Sequence, residues 1–247
     1  MDTITIVCCF NDAEAYESLT RSIYDQDCDA VILGVNNSDS SFKSCSSAYN
    51  SVLKLIQTKY VAFVHQDIVF LHADSIRKMV SFLNDVDQVD IIGVAGAKED
   101  GKYNRKVLSN IVHGNNMESA GDHFNGIEKC MTLDECLIFG YTDYFVCNPF
   151  DETICDNWHL YSVEQCLRTS LHGGQPYVCE IDLFHKSKGR VSSSYVLSFF
   201  KLCYRYRKDY PYITTCCASS RTSLPHLLKT CLIIEGSIIK RKILKRK

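Results

Sequence analysis

The chain has 247 residues, 46% of them hydrophobic and 23% charged, with a net charge of −2. That size and balance exclude a wholly disordered chain and suit one full-sized α/β domain with a small appendage. No apolar run reaches the roughly 18 residues that a membrane span needs. Met1-Asp2-Thr3-Ile4 has no basic segment before its short apolar run, so it reads as the start of a strand and the protein is expected to be cytoplasmic. Most of the fourteen cysteines sit in apolar runs (Cys8, Cys9, Cys136, Cys166, Cys179), and no Cys-x-x-Cys pair occurs. Buried free thiols are expected, and a structural zinc site of the usual spacing is not.

Ile4 to Phe10 (ITIVCCF) is a continuous apolar run of strand length. Asn11 or Asp12 can cap a helix that carries Tyr16, Leu19 and Ile23 on one face. Ala30 to Val35 (AVILGV) reads as a second buried strand, ending in the polar loop from Asn36 to Ser41. A helix with Ala48, Val52, Leu55 and Ile56 inward follows, and Tyr60 to Val64 (YVAFV) is a third strand that runs into His65-Gln66-Asp67. A helix capped by Asp74, with Ile76, Met79, Val80 and Leu83 inward, leads to a fourth strand, Val89 to Ala95. Lys98 to Lys129 is polar and rich in Gly and Asn, and reads as a long loop region. Periodicity returns in Met131 to Phe139, in a helix around His159 to Leu171, and in a strand over Tyr177 to Phe184; beyond Ser192 the pattern is helical, aromatic and basic. Apolar strands alternating with helices predict an α/β fold with a mostly parallel central sheet covered on both faces. Ligands on such sheets bind at the carboxyl ends of the strands, which selects Phe10-Asn11, Asn36-Asn37 and His65-Gln66-Asp67.

Several residues there and beyond suit chemistry. His65 and Asp67, two apart on an extended chain, share a side and can hold Mg²⁺ or Mn²⁺ beside a diphosphate. His185, after YVCEIDLF, could complete such a site. Glu164 lies within the apolar stripe of Leu160, Val163, Leu167 and Leu171, where a carboxylate needs a partner or a role and suits a general base. Asp134-Glu135 interrupts the apolar segment MTLDECLIF and could orient an acceptor hydroxyl or support the metal shell, or could simply mark a loop between strands. Trp158, the only tryptophan, could stack on a sugar ring beside His159.

Taken in order, the motifs resemble those of the GT-A-fold glycosyltransferases of the large family 2 type, nearest to a small bacterial branch grouped with a streptomycin-biosynthesis protein domain. The resemblance spans roughly residues 3 to 200. Ser47-Ala48-Tyr49-Asn50 before LKLIQTKYVAFVHQD is similar to the family's Ala-x-Asn helix and Asp-x-Asp strand. Phe150-Asp151-Glu152, then Trp158-His159-x-Tyr161-x-x-Glu164, and His185-x-Ser187-x-Gly189 are similar to three further motifs of the branch. The resemblance implies a GT-A (Rossmann-like) domain over residues 1–200 and a helical, basic extension over 201–247. It implies a nucleotide-sugar donor, transfer to an acceptor hydroxyl with inversion, a divalent metal, and a role in cell-surface glycan or polysaccharide synthesis. Phe10, Asn11, Asn36 and Asn37 would line the nucleotide pocket, with Asn50, Gln66, Trp158 and His159 around it. His65 and Asp67 would stand at the Asp-x-Asp position with His185 near, and Glu164, or else Asp134 or Glu135, would be the base. The first Asp of Asp-x-Asp is His65 here, and the family's Glu-Asp pair is not present as such.

Leu224, Leu227, Leu228, Cys231 and Leu232 form an apolar helical stripe, followed by Ile238, Ile239 and the basic cluster Lys240 to Lys247 (KRKILKRK). A basic amphipathic end suits an anionic membrane surface and a glycan or lipid-linked acceptor near it. The rival readings are a nucleotidyltransferase, which would show a Gly-rich basic loop where Phe10-Asn11-Asp12-Ala13 stands, and a non-catalytic nucleotide-sugar-binding or scaffolding subunit. No nucleic-acid partner is expected, because the body is acidic and carries no recognised binding motif.

Overall fold

The structure is a computed structural model that describes residues 3–86, 90–101, 104–187 and 191–244. Of the expectations above, those for Met1, Asp2, Val89, Lys188, Gly189 and Lys245 to Lys247 fall outside the described residues. The amino-terminal part alternates as its apolar runs predict: β1 (Ile4–Phe10), α1 (Ala13–Tyr24), β2 (Ala30–Asn36), α2 (Cys45–Asn50), β3 (Tyr60–Val64), β4 (Ile68–Phe70) and α3 (Ser75–Asp85). Asp12 caps α1, its Oδ1 accepting from the N–H groups of Glu14 and Ala15 at 3.0 and 3.1 Å. Short strands follow: β5 (Ile92–Gly93), β6 (Ala95–Glu99), β7 (Arg105–Ser109), β8 (Ile111–His113), β9 (Glu118–Ser119), β10 (Ile127–Lys129), β11 (Thr132–Leu133) and β12 (Leu137–Tyr141). Then come α4 (Thr142–Cys147), α5 (Tyr161–Leu171), β13 (Tyr177–Cys179), β14 (Leu183–His185), α6 (Ser193–Arg205), the hairpin β15 (Tyr212–Thr214) and β16 (Ser219–Arg221), and α7 (Leu224–Leu244).

Seven strands form the central sheet in the order β10-β13-β5-β12-β3-β1-β2. It is mostly parallel: β12 and β10 run against the other five. The period-2 alternation of strands splits each run between the two faces. Ile4, Ile6 and Cys8 of β1, with Tyr60, Ala62 and Val64 of β3, join the core under α1 and α3. Val7, Val61 and Phe63 join the opposite core with Tyr49, Phe145 and Phe150. A third core, built from Leu160, Leu167, Phe199, Leu202 and Leu227, knits α5, α6 and α7 together.

Four expectations change. First, β2 is an edge strand paired only with β1, so Val31 is 48% exposed and the strand is not buried on both faces. Second, α2 ends at Asn50, and a separate 3₁₀ turn over Leu53–Leu55 carries Leu53 inward and leaves Leu55 exposed. Third, the region expected as a loop, residues 98–129, holds β7 to β10, strands too short and polar for periodicity to reveal. Fourth, Tyr177 to Phe184 is not one strand: β13 stays in the central sheet, and the chain then crosses to a second sheet, β4-β14-β8-β9. This crossing positions the site, because β4 begins immediately after Asp67 and β14 ends at His185.

All fourteen cysteines are free thiols, and only Cys147 and Cys217 are exposed. Among the described residues no helix is long and apolar enough to cross a membrane.

Candidate functional site

A cavity of about 710 Å³ opens at the carboxyl ends of β1, β2 and β3. β1 and β2 deliver Phe10, Asn11 and Asn37 to its wall. Phe10 stacks on Tyr16, ring centroids 3.9 Å apart. The Gln66 side chain locks the loop after β1: Oε1 accepts from the N–H groups of Asn11 and Asp12, both at 2.9 Å, and Nε2 donates to Asn11 Oδ1 at 3.0 Å. The Asn37 side chain closes its own loop, donating to Phe42 O and accepting from Phe42 N–H.

At the end of β3, His65, Asp67 and His185 offer ligand atoms that all lie within 4.8 Å of one another. The antiparallel pairing of β14 with β4 sets His185 opposite Ile68, and the Lys186 N–H donates to Asp67 O at 2.9 Å. His185 Nε2 lies 3.2 Å from Asp67 Oδ1. Burial alone would raise the Asp67 carboxyl, but the hydrogen bond and charge of His185, then the charge of His65, hold it well below the usual carboxylate range. Burial works against the protonated His185 ring, and Asp67 outweighs it and raises this histidine. Burial, then the charge of His185, lowers His65. Two imidazoles and a carboxylate at this spacing fit a divalent transition metal such as Mn²⁺.

Asp134 and Glu135 form the turn between β11 and β12, and both line the cavity. Asp134 Oδ1 accepts from Cys136 N–H, whose carbonyl in turn accepts from His65 N–H. Glu135 Oε1 accepts from the N–H of Leu160, a residue held at φ 68°, a strained conformation for leucine. Among the described residues the Glu135 carboxylate is met by backbone N–H groups, those of Leu160 and of Glu135 itself, and by no side chain. Burial, then the neighbouring Asp134 charge, pushes the Glu135 carboxyl up to about 8. Trp158, 42% exposed, and His159 stand on the far wall. The His159 ring lies 3.4 Å from the hydroxyls of both Ser192 and Ser194, and burial lowers it.

Three of the expected site residues are not brought to this cavity. Asn36 is exposed, and its side chain caps its own turn at Ser38. Asn50 binds the loop after α4, donating to Phe150 O and Glu152 and accepting from Phe150 N–H. Glu164 is 1% exposed and fully engaged: Oε1 accepts from Tyr206 OH at 2.7 Å and Arg168 Nε at 3.1 Å, and Oε2 from Arg168 Nη2 at 3.2 Å. Its stripe position reflects this structural pairing.

Other lining residues escaped the sequence reading: Cys9, Cys45, Tyr195, Cys216 and Cys217. The last two sit in the β15–β16 hairpin, which no local pattern ties to the strand ends. Burial pushes the Cys9 thiol up to about 11, away from the thiolate form that a nucleophile needs.

Residues 5–186 match a family described as a glycosyltransferase-like family. Among solved structures, the chain is similar to a mannosyltransferase, PcManGT from Pyrobaculum calidifontis, in complex with GDP-Man and Mn²⁺, with a TM-score of 0.56 and 10% identity over 85% of this chain and 65% of that one. It is also similar to S. aureus TarS 1–349 in complex with UDP-GlcNAc, with a TM-score of 0.56 and 12% identity over 82% of this chain and 66% of that one. At these identities the likeness establishes the GT-A glycosyltransferase fold, and the chain spans just under two thirds of either structure's length. No curated protein matches the chain by sequence.

Proposed function

Because the chain belongs to the glycosyltransferase-like family, we propose that it moves a sugar from a nucleoside-diphosphate sugar to an acceptor hydroxyl, inverting the anomeric centre. The observation that carries this reading is the convergence of His65, Asp67 and His185 on a cavity at the carboxyl ends of β1 to β3. Phe10, Asn11 and Asn37 bind the nucleoside end, and Gln66 holds the loop that presents them. His65, Asp67 and His185 hold a divalent cation. Their two imidazoles favour Mn²⁺ over Mg²⁺, which prefers an all-oxygen shell. A cation so placed supplies charge neutralisation for the departing nucleoside diphosphate.

Glu135 is the base. It lines the cavity and has no side-chain partner among the described residues, whereas Glu164 lies away from the cavity and is held by Arg168 and Tyr206. As the acceptor oxygen bonds to the anomeric carbon, its proton passes to Glu135, and the electrons of the sugar–phosphate bond leave with the diphosphate. Trp158, exposed on the cavity wall, offers an apolar face to the acceptor. The motif order places the chain nearest the streptomycin-biosynthesis branch of its family and suits synthesis of a cell-surface glycan or polysaccharide.

The acceptor is glycan or lipid-linked, met at the cytoplasmic face of an anionic membrane. Support for that location comes from α7. Leu227 and Ile238 bury one side of this helix, yet Leu228, Leu232, Ile239 and Ile243, exposed by 45 to 73%, line another side at helical spacing. Lys229, Lys240 and Lys242 are exposed beside them.

The test is release of nucleoside diphosphate from a panel of nucleotide sugars with Mn²⁺. One donor should be hydrolysed slowly, with the rate lost in Asp67→Asn and on chelation, and reduced about 10²–10⁴-fold in Glu135→Gln. Full activity in Glu135→Gln together with loss in Glu164→Gln would overturn the choice of base.

A further inference from the structure

Tyr161 opens α5 with its ring fully buried, edge-on to Tyr49 and Phe150 at centroid distances of 5.6 Å each. Its hydroxyl has two close oxygen and nitrogen partners, the Glu135 carbonyl oxygen at 3.0 Å and His65 Nε2 at 3.2 Å, and the buried Cys45 thiol also reaches it. A phenol carries one proton, and a carbonyl oxygen can only accept. The proton therefore lies on the bond to Glu135, and the phenol oxygen accepts from His65, which requires a hydrogen on Nε2.

We propose that Tyr161 is a positioning residue that fixes His65 as the Nε2–H tautomer, so that Nδ1 is the lone pair it contributes to the group formed with Asp67 and His185. A neutral histidine ligates a metal through one ring nitrogen, and the bond made by the other nitrogen decides which one. The opposite tautomer would set two acceptors, Nε2 and the Glu135 carbonyl, against a single phenolic proton. Tyr161 also joins the two halves of the site. The same hydroxyl grips the turn that carries Glu135 and the end of β3 that carries His65, so the base and the cation group keep a fixed relation. The ring packs edge-on against Tyr49 and Phe150, whose own centroids are 5.7 Å apart, so the three rings form one buried cluster that holds the hydroxyl in place. The part of this assignment that concerns a metal rests on the reading of His65, Asp67 and His185 given above.

The experiment is ¹⁵N-resolved NMR of the histidine rings in the metal-free full chain, with His65 identified by its absence in His65→Gln. Beside it, Mn²⁺ affinity is measured by electron paramagnetic resonance for the unaltered protein and Tyr161→Phe. The expected result is a single Nε2–H tautomer at His65, mixed tautomers in Tyr161→Phe, and Mn²⁺ bound about 10–100-fold more weakly by that variant. An Nδ1–H tautomer in the unaltered protein overturns the proposal and does not depend on the variant's folding. So does an unchanged tautomer with unchanged Mn²⁺ affinity in Tyr161→Phe. An Nε2–H tautomer in an unaltered protein that binds no Mn²⁺ supports the positioning role and removes the metal reading.

Discussion

Two groups of charged side chains stand inside this molecule, and they differ in what their carboxylates have left to give. Glu164 spends both oxygens on Arg168 and Tyr206, and Arg168 also donates to Pro149 O at 2.7 Å, so the group ties α5 to the end of α6 and to the loop after α4. Asp67 has His185 at 3.2 Å and shares a cavity wall with His65, and the three offer ligand atoms within 4.8 Å of one another. The lesson is that burial of a carboxylate does not mark a reactive group. Saturated hydrogen bonding makes it a strut, and unspent lone pairs facing a cavity make it a site.

Removing each group should break the comparison in a different way. Glu164→Ala leaves the buried Tyr206 hydroxyl without its partner and takes one of several partners from the half-buried Arg168, and is expected to cost about 1–3 kcal/mol of stability, read from urea unfolding, while the folded protein keeps its turnover. Loss of turnover at unchanged stability would reverse the two roles.

Acidity sharpens the contrast further. Glu135 keeps its proton to about pH 8 in the folded chain, whereas the unfolded chain loses it near about 4.3. Its contribution to stability is therefore complete below about pH 4.3 and declines as pH rises toward 8. Turnover should move the opposite way, with kcat/KM rising with pH and levelling off above about 8, because the base must be unprotonated. A flat profile across that range would remove Glu135 from the chemistry. The smallest effect is expected at α7. Lys240→Gln should weaken binding to anionic vesicles by about 1 kcal/mol, roughly fivefold, and leave binding to neutral vesicles unchanged.

How far these groups could be read in advance follows from where their partners lie in the chain. The runs ITIVCCF and YVAFV are apolar throughout because both faces of β1 and β3 are covered, and that pattern is visible without a fold. His65 and Asp67 stand out for the same reason, as polar residues at the end of such a run. His185 joins them through the pairing of β14 with β4, in a second sheet whose strands of two or three residues leave no periodic trace. The stripe position of Glu164 is legible in the sequence, while its partner Tyr206, on the turn beyond α6, is not. Asn36 ends β2 and Asn50 ends α2, and their side chains are spent on Ser38 and on the Phe150 backbone. Tyr161 was visible as part of a motif, but its bond to His65 depends on where α5 begins relative to β3.

The central claim is that the cavity at the ends of β1 to β3 is a metal-assisted nucleotide-sugar site. Calorimetric titration of nucleotide sugars into the protein, with and without Mn²⁺, tests it most directly. The account predicts that at least one nucleoside-diphosphate sugar binds, that Mn²⁺ tightens it, and that Asp67→Asn abolishes the gain. A folded protein that binds no nucleotide sugar with or without Mn²⁺ would contradict it.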